Sequence, residues 1–452
     1  MKKQLLIASA LLVSTESMAG SIDYLSQQDA EYFAHPALTG KIGASSAYYN
    51  PAGTAFLENG TYLQINNQTH FKTYKMEIND RKFESDKPSP IVPSMQLVHA
   101  NNGTSYFFHI GALAGGGNVG YEGGLGTFEY MGNTINSSLK NKFAPLGLSD
   151  QVGATFLDGN KVKGSSYYVA LQGGIAQKIN DELSFSLGLR YVNATRNLKG
   201  KGNFELNLAN NKTYPTFDID SERTAQGFSG LLGLNYQPNS KLNIGFRYES
   251  EMELDFKTNE KNLNNFRNDL NMGMGGIKIP GTNTSIGDGI YNDIANNPAV
   301  YEWTHDKKGR RNLPAMASLG ASYKYSERTT LLLSGNYYFI KDAGDDFGAY
   351  DNYSNGYEIG VGIDYILNPK WTLMAGYQYT DTGANSKTYK DTDYALNADL
   401  YGIGAKYKYS ENLDLMASLA SVFYHSGTSS ITGIKYEKHV EAIGLAGIYK
   451  FN

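Results

Sequence analysis

The sequence predicts an all-β chain, a 14-stranded antiparallel transmembrane β-barrel with an N-terminal hatch, or plug, folded into its lumen. Three observations predict it. Period-two alternation recurs along the chain, six short turns interleave with seven long polar connections, and the first residues read as an export signal.

Lys2 and Lys3 give a positive start, and Leu5 to Val13 form an apolar stretch too short to cross a bilayer as a helix. Ser17-Met18-Ala19 closes it with small residues where a signal peptidase reads, so residues 1–19 are expected to be a signal peptide. No later run of ~18 apolar residues exists, so no transmembrane helix is expected. Tyr, at 35 residues, suits a membrane–water boundary because its ring is apolar and its hydroxyl stays wet. With 0 Cys no disulfide staples this exported chain, so backbone pairing has to close some other way. A net charge of −4 gives no reason to expect a nucleic-acid partner.

Each strand segment alternates. Leu183, Phe185, Leu187, Leu189 and Tyr191 are apolar or aromatic, and the residues between them are small or charged. The same reading holds for Leu242 to Tyr248, Tyr357 to Tyr365 and Tyr401 to Tyr409. Alternation alone fits a soluble sandwich as well as a barrel, and the turns separate them. Asn101-Asn102-Gly103, Asn180-Asp181, Pro238-Asn239-Ser240, Ser326-Glu327-Arg328, Asn368-Pro369-Lys370 and Ser410-Glu411-Asn412 are hairpin connections made of turn-forming residues. Between them lie long segments, roughly 74–90, 113–163, 198–220, 257–310, 341–353, 381–394 and 425–436. Short turns on one side and long loops on the other give fourteen strands with both ends at the short-turn side. The last strand, Ile443 to Phe451, ends in an aromatic one residue before the terminus, an ending that barrel-assembly machinery reads.

Residues 20–60 do not alternate. Ser26 to Tyr32 read as a short helix, and Tyr49-Asn50-Pro51-Ala52-Gly53 as a tight turn. Apolar Tyr48, Phe56 and Leu57 favour packing inside the lumen over a dangling tail. The expected organisation is 20–60 as hatch and 61–452 as barrel.

Ala44-Ser45-Ser46-Ala47-Tyr48-Tyr49-Asn50-Pro51-Ala52-Gly53 resembles the hatch of the FadL family of outer-membrane transporters. Gly233 to Tyr248 is similar to that family's middle hairpin, and Leu313-Pro314-Ala315-Met316-Ala317-Ser318-Leu319-Gly320 to the start of a later strand. The resemblance covers the mature chain in order. It implies a passive importer of long-chain fatty acids or other hydrophobic compounds, blocked by the hatch motif Asn50, Pro51, Ala52 and Gly53. Outer loops would catch the ligand, an inner pocket would hold it, and a break in the third strand would release it sideways. That strand runs Tyr106 to Gly111 and then meets Gly115, Gly116 and Gly117, which either interrupt it as the lateral opening or begin the next outer loop.

A fatty acid needs an apolar trough and a cation. Leu125 and Phe128 in one long segment, and Met272, Met274, Ile277 and Ile279 in another, are the apolar candidates, against the plainer reading that they pack the loops together. Arg190 and Arg247 face the lumen by alternation and would meet a carboxylate, unless they pair with lumen acids such as Glu249. His35, His70, His99, His109 and His305 show no His-Glu-x-x-His spacing, and no nucleophile elbow or phosphate loop occurs. No enzyme, cofactor or metal site is therefore expected. Asp342, Asp345 and Asp346 read as a solvated acidic turn.

The function expected is import of hydrophobic small molecules across the bacterial outer membrane, fatty acids first and aromatic hydrocarbons next. The partners are the ligand, outer-membrane lipid and lipopolysaccharide, and the assembly machinery. A surface adhesin whose long loops bind host or partner proteins is the rival, and a porin for polar solutes the third reading.

Overall fold

Fourteen strands close a ring. They are β1 (Gly60–Ile78), β2 (Ser89–Asn101), β3 (Thr104–Glu122), β4 (Lys161–Lys178), β5 (Leu183–Leu208), β6 (Thr216–Asn239) and β7 (Leu242–Glu249), followed by β8 (Met316–Lys324), β9 (Thr329–Tyr338), β10 (Gly356–Asn368), β11 (Trp371–Asp381), β12 (Ala398–Lys408), β13 (Leu413–Tyr424) and β14 (Lys435–Phe451). Each pairs antiparallel with its successor, and β14 returns to β1 in a register running from Thr61↔Phe451 to Glu77↔Lys435. Closure removes the edge strands that an open sheet would expose. The computed structural model describes residues 25–208, 211–273, 276–279, 281–296, 301–304, 307–348, 350–391 and 394–451. The expected signal peptide, Met274 and His305 lie outside these residues.

The six short turns fall where the sequence puts them. Asn102 and Gly103 both have positive φ, 49° and 79°, the two-residue turn whose twist matches its flanking strands. The alternation is resolved in favour of a membrane. Leu189 is 65% exposed, and its neighbour Arg190 only 2%, the inverse of a soluble sheet. Outward Tyr337, Tyr357, Tyr401 and Phe423 form a belt near the outer ends of their strands, and Tyr323, Tyr365, Trp371 and Tyr449 form one near the turns.

Residues 25–57 lie inside the ring, and Glu58 and Asn59 are exposed at its short-turn end. Their elements are a 3-10 turn at Glu31–Phe33, α1 (Ser46–Tyr49) and a 3-10 helix at Pro51–Phe56. The helix expected over Ser26 to Tyr32 is not formed. Asp29 Oδ1 accepts the Tyr32 N–H at 3.0 Å, and the polar atoms of Ser26 and Gln28 bond to the barrel wall instead. The wall facing this segment is glycine-lined. A Cβ at Gly402 would sit 2.3 Å from Phe33 O, at Gly376 2.5 Å from His35 Cβ, and at Gly245 2.0 Å from Thr39 O. The small residues on the inward face of the strands thus leave room for a backbone lying flush against them.

The outer connections are shorter and more ordered than the sequence suggests. β3 continues to Glu122 and β5 to Leu208, and the connections carry α2 (Gly126–Phe143), α3 (Leu263–Gly273) and α4 (Ile286–Ala295). Leu263, Phe266 and Leu270 are buried on one face of α3, and Ile286, Ile290 and Ile294 on one face of α4. That spacing, i to i+3, i+4, i+7 or i+8, is a helical signal masked by the polar residues around it. Asp391, from another connection, accepts the Thr127 N–H at 2.6 Å in the first turn of α2.

Candidate functional site

The wall has a break between β2 and β3. Their ladder stops at Ser94↔Gly111, although β2 continues on β1 and β3 continues on β4. Two causes meet there. Pro90 and Pro93 deprive β2 of donors. On the other side β3 bulges, its register slipping between Ala112 and Ala114 and again between Ala114 and Gly117. Gly115 and Gly117 hold φ of +93° and +81°, values that favour glycine. Gly111, Gly115, Gly116 and Gly117 therefore lie within a continuing strand along this break, not at the start of a loop.

The opening has defined edges. At one end stands the Ser94–Gly111 pair. At the other, Lys72 of β1 donates from Nζ to Ser89 Oγ at 3.0 Å and to Asn118 O at 3.1 Å, joining the two rims. Gln28 of the inner segment crosses between them. Its Nε2 donates to Ala112 O and Leu113 O, each at 3.3 Å, and its own carbonyl accepts from Ser94 Oγ at 2.6 Å and Gln96 Nε2 at 3.3 Å.

Leu113 also lines a narrow lumen cavity of about 310 Å³ including its mouth, with Leu25, Tyr48, Arg190, Glu249, Met252 and Met316 among its other walls. Arg190 is committed to internal partners: Nη2 lies 2.9 Å from Glu249 Oε1, and Nε 3.0 Å from Gln172 Oε1. Arg247 donates to Tyr48 O and lies 3.3 Å from Glu249 Oε1. Both guanidinium groups stack on the Tyr48 ring, at 4.9 and 4.6 Å. The alternative the sequence offers, pairing with Glu249, is the arrangement found.

Six residues along β5 from Arg190, toward the outer connections, Arg196 joins Arg223 and Arg311 around one carboxylate. Glu302 Oε2 lies 3.4 Å from Arg196 Nη1 and 3.6 Å from Arg311 Nη1, and also pairs with Arg223. Burial raises the Glu302 pKa, and the three guanidinium groups outweigh it to hold the carboxyl well below its usual range. Parity with Arg190 on β5, and with Ser229 on β6, marks Arg196 and Arg223 as lumen residues. Sequence reading missed them because the acid that gathers them sits far away in an outer connection.

The outer connections hold a second recess, a mostly apolar groove between α2 and α4 lined by Ile135, Leu139, Phe143, Ile279, Ile286 and Ile290, together with Ser138 and Asp293. Of the sequence candidates, Ile279 lines it. Leu125 and Phe128 are instead buried in the loop core, Phe128 5.8 Å from Phe156 and 5.5 Å from Phe217. That is the plainer of the two readings the sequence offers, with both side chains packed in the buried cluster of the outer connections. Met272 and Ile277 are exposed, at 73% and 44%.

Within the lumen, Asn50 caps the second 3-10 helix of the inner segment. Its Oδ1 accepts the Gly53 N–H at 3.1 Å, and its Nδ2 donates to Asn235 Oδ1 of β6 at 2.7 Å. Pro51 occupies the first helical position, where its missing N–H costs nothing. A Cβ at Gly53 would lie 2.6 Å from Asn50 Nδ2. Glu31, His35 and Asp364 converge as a cation ligand set would. The Lys41 ammonium already fills that place, with Nζ 2.5 Å from Glu31 Oε1 and 2.6 Å from Asp364 Oδ2.

A family model described as outer membrane protein transport protein (OMPP1/FadL/TodX) matches residues 11–446. The chain belongs to that family. It is thus an outer-membrane β-barrel. Outer membrane protein P1 of Haemophilus influenzae is 26% identical over 203 residues, 43% of this chain and 37% of that protein. The matched stretch spans little more than a third of that relative's length. Among solved structures, a Pseudomonas aeruginosa FadL homologue superposes with a TM-score of 0.64 at 14% identity, over 97% of this chain and 100% of that one. The Pseudomonas putida toluene transporter TodX gives 0.63 at 13%, over 95% and 99%. The Ralstonia pickettii toluene transporter TbuX gives 0.58 at 14%, over 95% and 100%. At those identities the likeness is one of fold.

Proposed function

We propose that this FadL-family barrel admits hydrophobic small molecules to the outer membrane without an energy source, long-chain fatty acids first and aromatic hydrocarbons next. The observation that carries this reading is the break between β2 and β3, whose bulged rim residue Leu113 also walls the lumen cavity. Leu113 and Gln28, which donates to the Leu113 carbonyl oxygen, are the residues such a ligand would pass on its way to lipid. The toluene transporters among the similar folds make a hydrophobic cargo the natural class.

The groove between α2 and α4 serves as the first capture site in this scheme, and residues 25–57 as the hatch. In this scheme the hatch would deny water and polar solutes a straight path through the lumen. The hydrophobic ligand leaves sideways into hydrocarbon, where burial of its chain is worth about 0.8 kcal/mol per methylene. No coupling to an energy source is needed.

The test is saturable binding of a labelled long-chain acid to the protein in lipid nanodiscs, with toluene as competitor. Displacement by unlabelled acid is expected, with weaker displacement by toluene. Absence of binding of both compounds to a folded barrel would overturn the importer and turn attention to loops that bind a partner protein.

A further inference from the structure

We propose that Lys72 determines specificity at the lateral opening by carrying the carboxylate of an amphiphilic ligand as its tail leaves through the wall. This rests on the lateral-exit reading above and adds to it the group that handles the ligand's charged end.

Lys72 is on the inward face of β1, 4% exposed, at the outer edge of the break. Its ammonium is the group that reaches both rims there, through Ser89 Oγ and Asn118 O. Gly117 makes room for it: a Cβ at that position would lie 2.3 Å from Lys72 Nζ and 2.0 Å from Ser89 Oγ. The positive φ of Gly117 and the approach of the lysine are therefore parts of one arrangement. A second ammonium is close by. Lys438 Nζ of β14 lies 5.6 Å from the Tyr74 ring centroid, and Lys72 Nζ lies 5.9 Å from it. The lumen side of the exit is thus a cationic spot beside aromatic surface.

An ionisable side chain at membrane depth is costly and marks a pathway more often than a scaffold. A scaffold that only had to tie Ser89 to Asn118 would need a neutral donor. Ser89 Oγ and Asn118 O are a neutral hydroxyl and a neutral carbonyl, whereas a carboxylate adds the attraction of a full opposite charge to the hydrogen bond, an attraction that grows as water is excluded. A fatty acid whose tail has entered the bilayer therefore gains by exchanging its carboxylate into these bonds. Its head group then passes the rim paired rather than bare. A neutral hydrophobe makes no such exchange, so the lysine favours acids without obstructing hydrocarbons.

The experiment uses the full chain in a Gram-negative host deleted for its own hydrophobic-compound transporters. The readout is the rate at which labelled hexadecanoic acid and labelled hexadecanol reach the cytoplasmic membrane fraction. Lys72→Gln keeps a neutral donor for both rims and removes the charge. The ratio of acid to alcohol delivery is expected to fall about tenfold in Lys72→Gln and to hold in Lys72→Arg. An unchanged ratio in Lys72→Gln, with the barrel folded by heat-modifiability, overturns the proposal. If Lys72→Gln is not exported, Lys72→Met read against Lys72→Arg decides by the same ratio.

A separate arm tests the exit itself. Ser89→Cys with Asn118→Cys, in a chain that has 0 native Cys, allows a cleavable cross-link across the opening. Cross-linking should stop delivery of both compounds, and reductant should restore it. Undiminished delivery of both compounds across a closed opening sinks the exit reading and the Lys72 role with it. A block of both compounds, with an unchanged ratio in Lys72→Gln, sinks the Lys72 role alone.

Discussion

Gln28 Nε2 donates to the carbonyl oxygen of Leu113 at 3.3 Å, so a side chain of the inner segment satisfies a backbone acceptor in the bulge of β3. The same residue accepts from Ser94 Oγ on the opposite rim at 2.6 Å. A break in a membrane wall leaves backbone groups without ladder partners, and in hydrocarbon each orphan costs several kcal/mol. Here the inner segment supplies the partners. Closing the wall and seating the segment are therefore one event.

Replacing Gln28 with Ala should loosen the rim without unfolding the barrel. Two hydrogen bonds at about 0.5–1.5 kcal/mol each correspond to a rise of roughly 5- to 150-fold in local opening. Hydrogen exchange at the amides of 111–118 should accelerate by that factor, with β9 to β13 unchanged. Equal exchange in both proteins would mean that the rim is held by β4 alone.

Asn50→Ala removes the cap on the Pro51–Phe56 helix and strips Asn235 of a buried partner at 2.7 Å. Loss of a cap costs about 1 kcal/mol, and the lost bond to Asn235 about 0.5–1.5 kcal/mol more, since Asn243 Nδ2 still donates to Asn235 Oδ1 at 2.9 Å. The inner segment should dock less firmly, and single-channel recordings should show more frequent conducting events for small ions. A closed trace identical to that of the parent would remove any gating role from this turn.

Seating of the inner segment should also depend on pH. Burial pushes the Asp29 carboxyl up to about 7, with the nearby Glu31 carboxylate adding to the effect. The neutral form is the one that docks. A pKa raised in the docked state means that its contribution is complete below the ordinary value near 4 and is lost as pH rises through 7. Leak should therefore rise between about pH 4 and 7. Asp29→Asn, which keeps an oxygen acceptor for the Tyr32 N–H, should hold the low-pH behaviour throughout that range. A steep rise persisting in Asp29→Asn would assign the titration to another group.

The parts that the sequence makes legible are those written within single segments. Each strand carries its own polarity period, so the contrast of Leu189 with Arg190 and the six short turns can be read one hairpin at a time. The glycines at 115–117 are visible in the same way, but they look equally like a loop. Their meaning depends on Pro90 and Pro93 across the rim and on Gln28 from another segment. Arg196 is visible by parity with Arg190, whereas the carboxylate it shares with Arg223 and Arg311 sits on Glu302, more than 100 positions away. Strand periodicity is local, whereas the break, the Gln28 contacts across it and the cation cluster are tertiary.

The outer groove gives the last prediction. Ile279 and Ile290 line it from two sides of α4's start, and Leu139 and Phe143 close it from α2. The recess is mostly apolar, with Ser138 and Asp293 its polar walls, so it holds a hydrocarbon chain by burial, worth about 25 cal/mol per Å² of surface removed from water. A second acid beside Asp293 would be desolvated next to a like charge and would repel a fatty acid's head group as well. Ile290→Asp should therefore lower delivery of hydrophobic ligand at low external concentration, raising the half-saturating concentration about tenfold. Delivery at saturating ligand should change little, because the cavity at Leu113 and the opening beyond it are untouched. Ile290→Leu, which conserves volume and polarity, should behave as the parent, since such exchanges usually cost under about 1.5 kcal/mol. Uptake curves for the three proteins decide the point. If Ile290→Asp instead lowers the maximal rate alone, capture occurs elsewhere, and the groove is a seam between helices that keeps the outer connections folded.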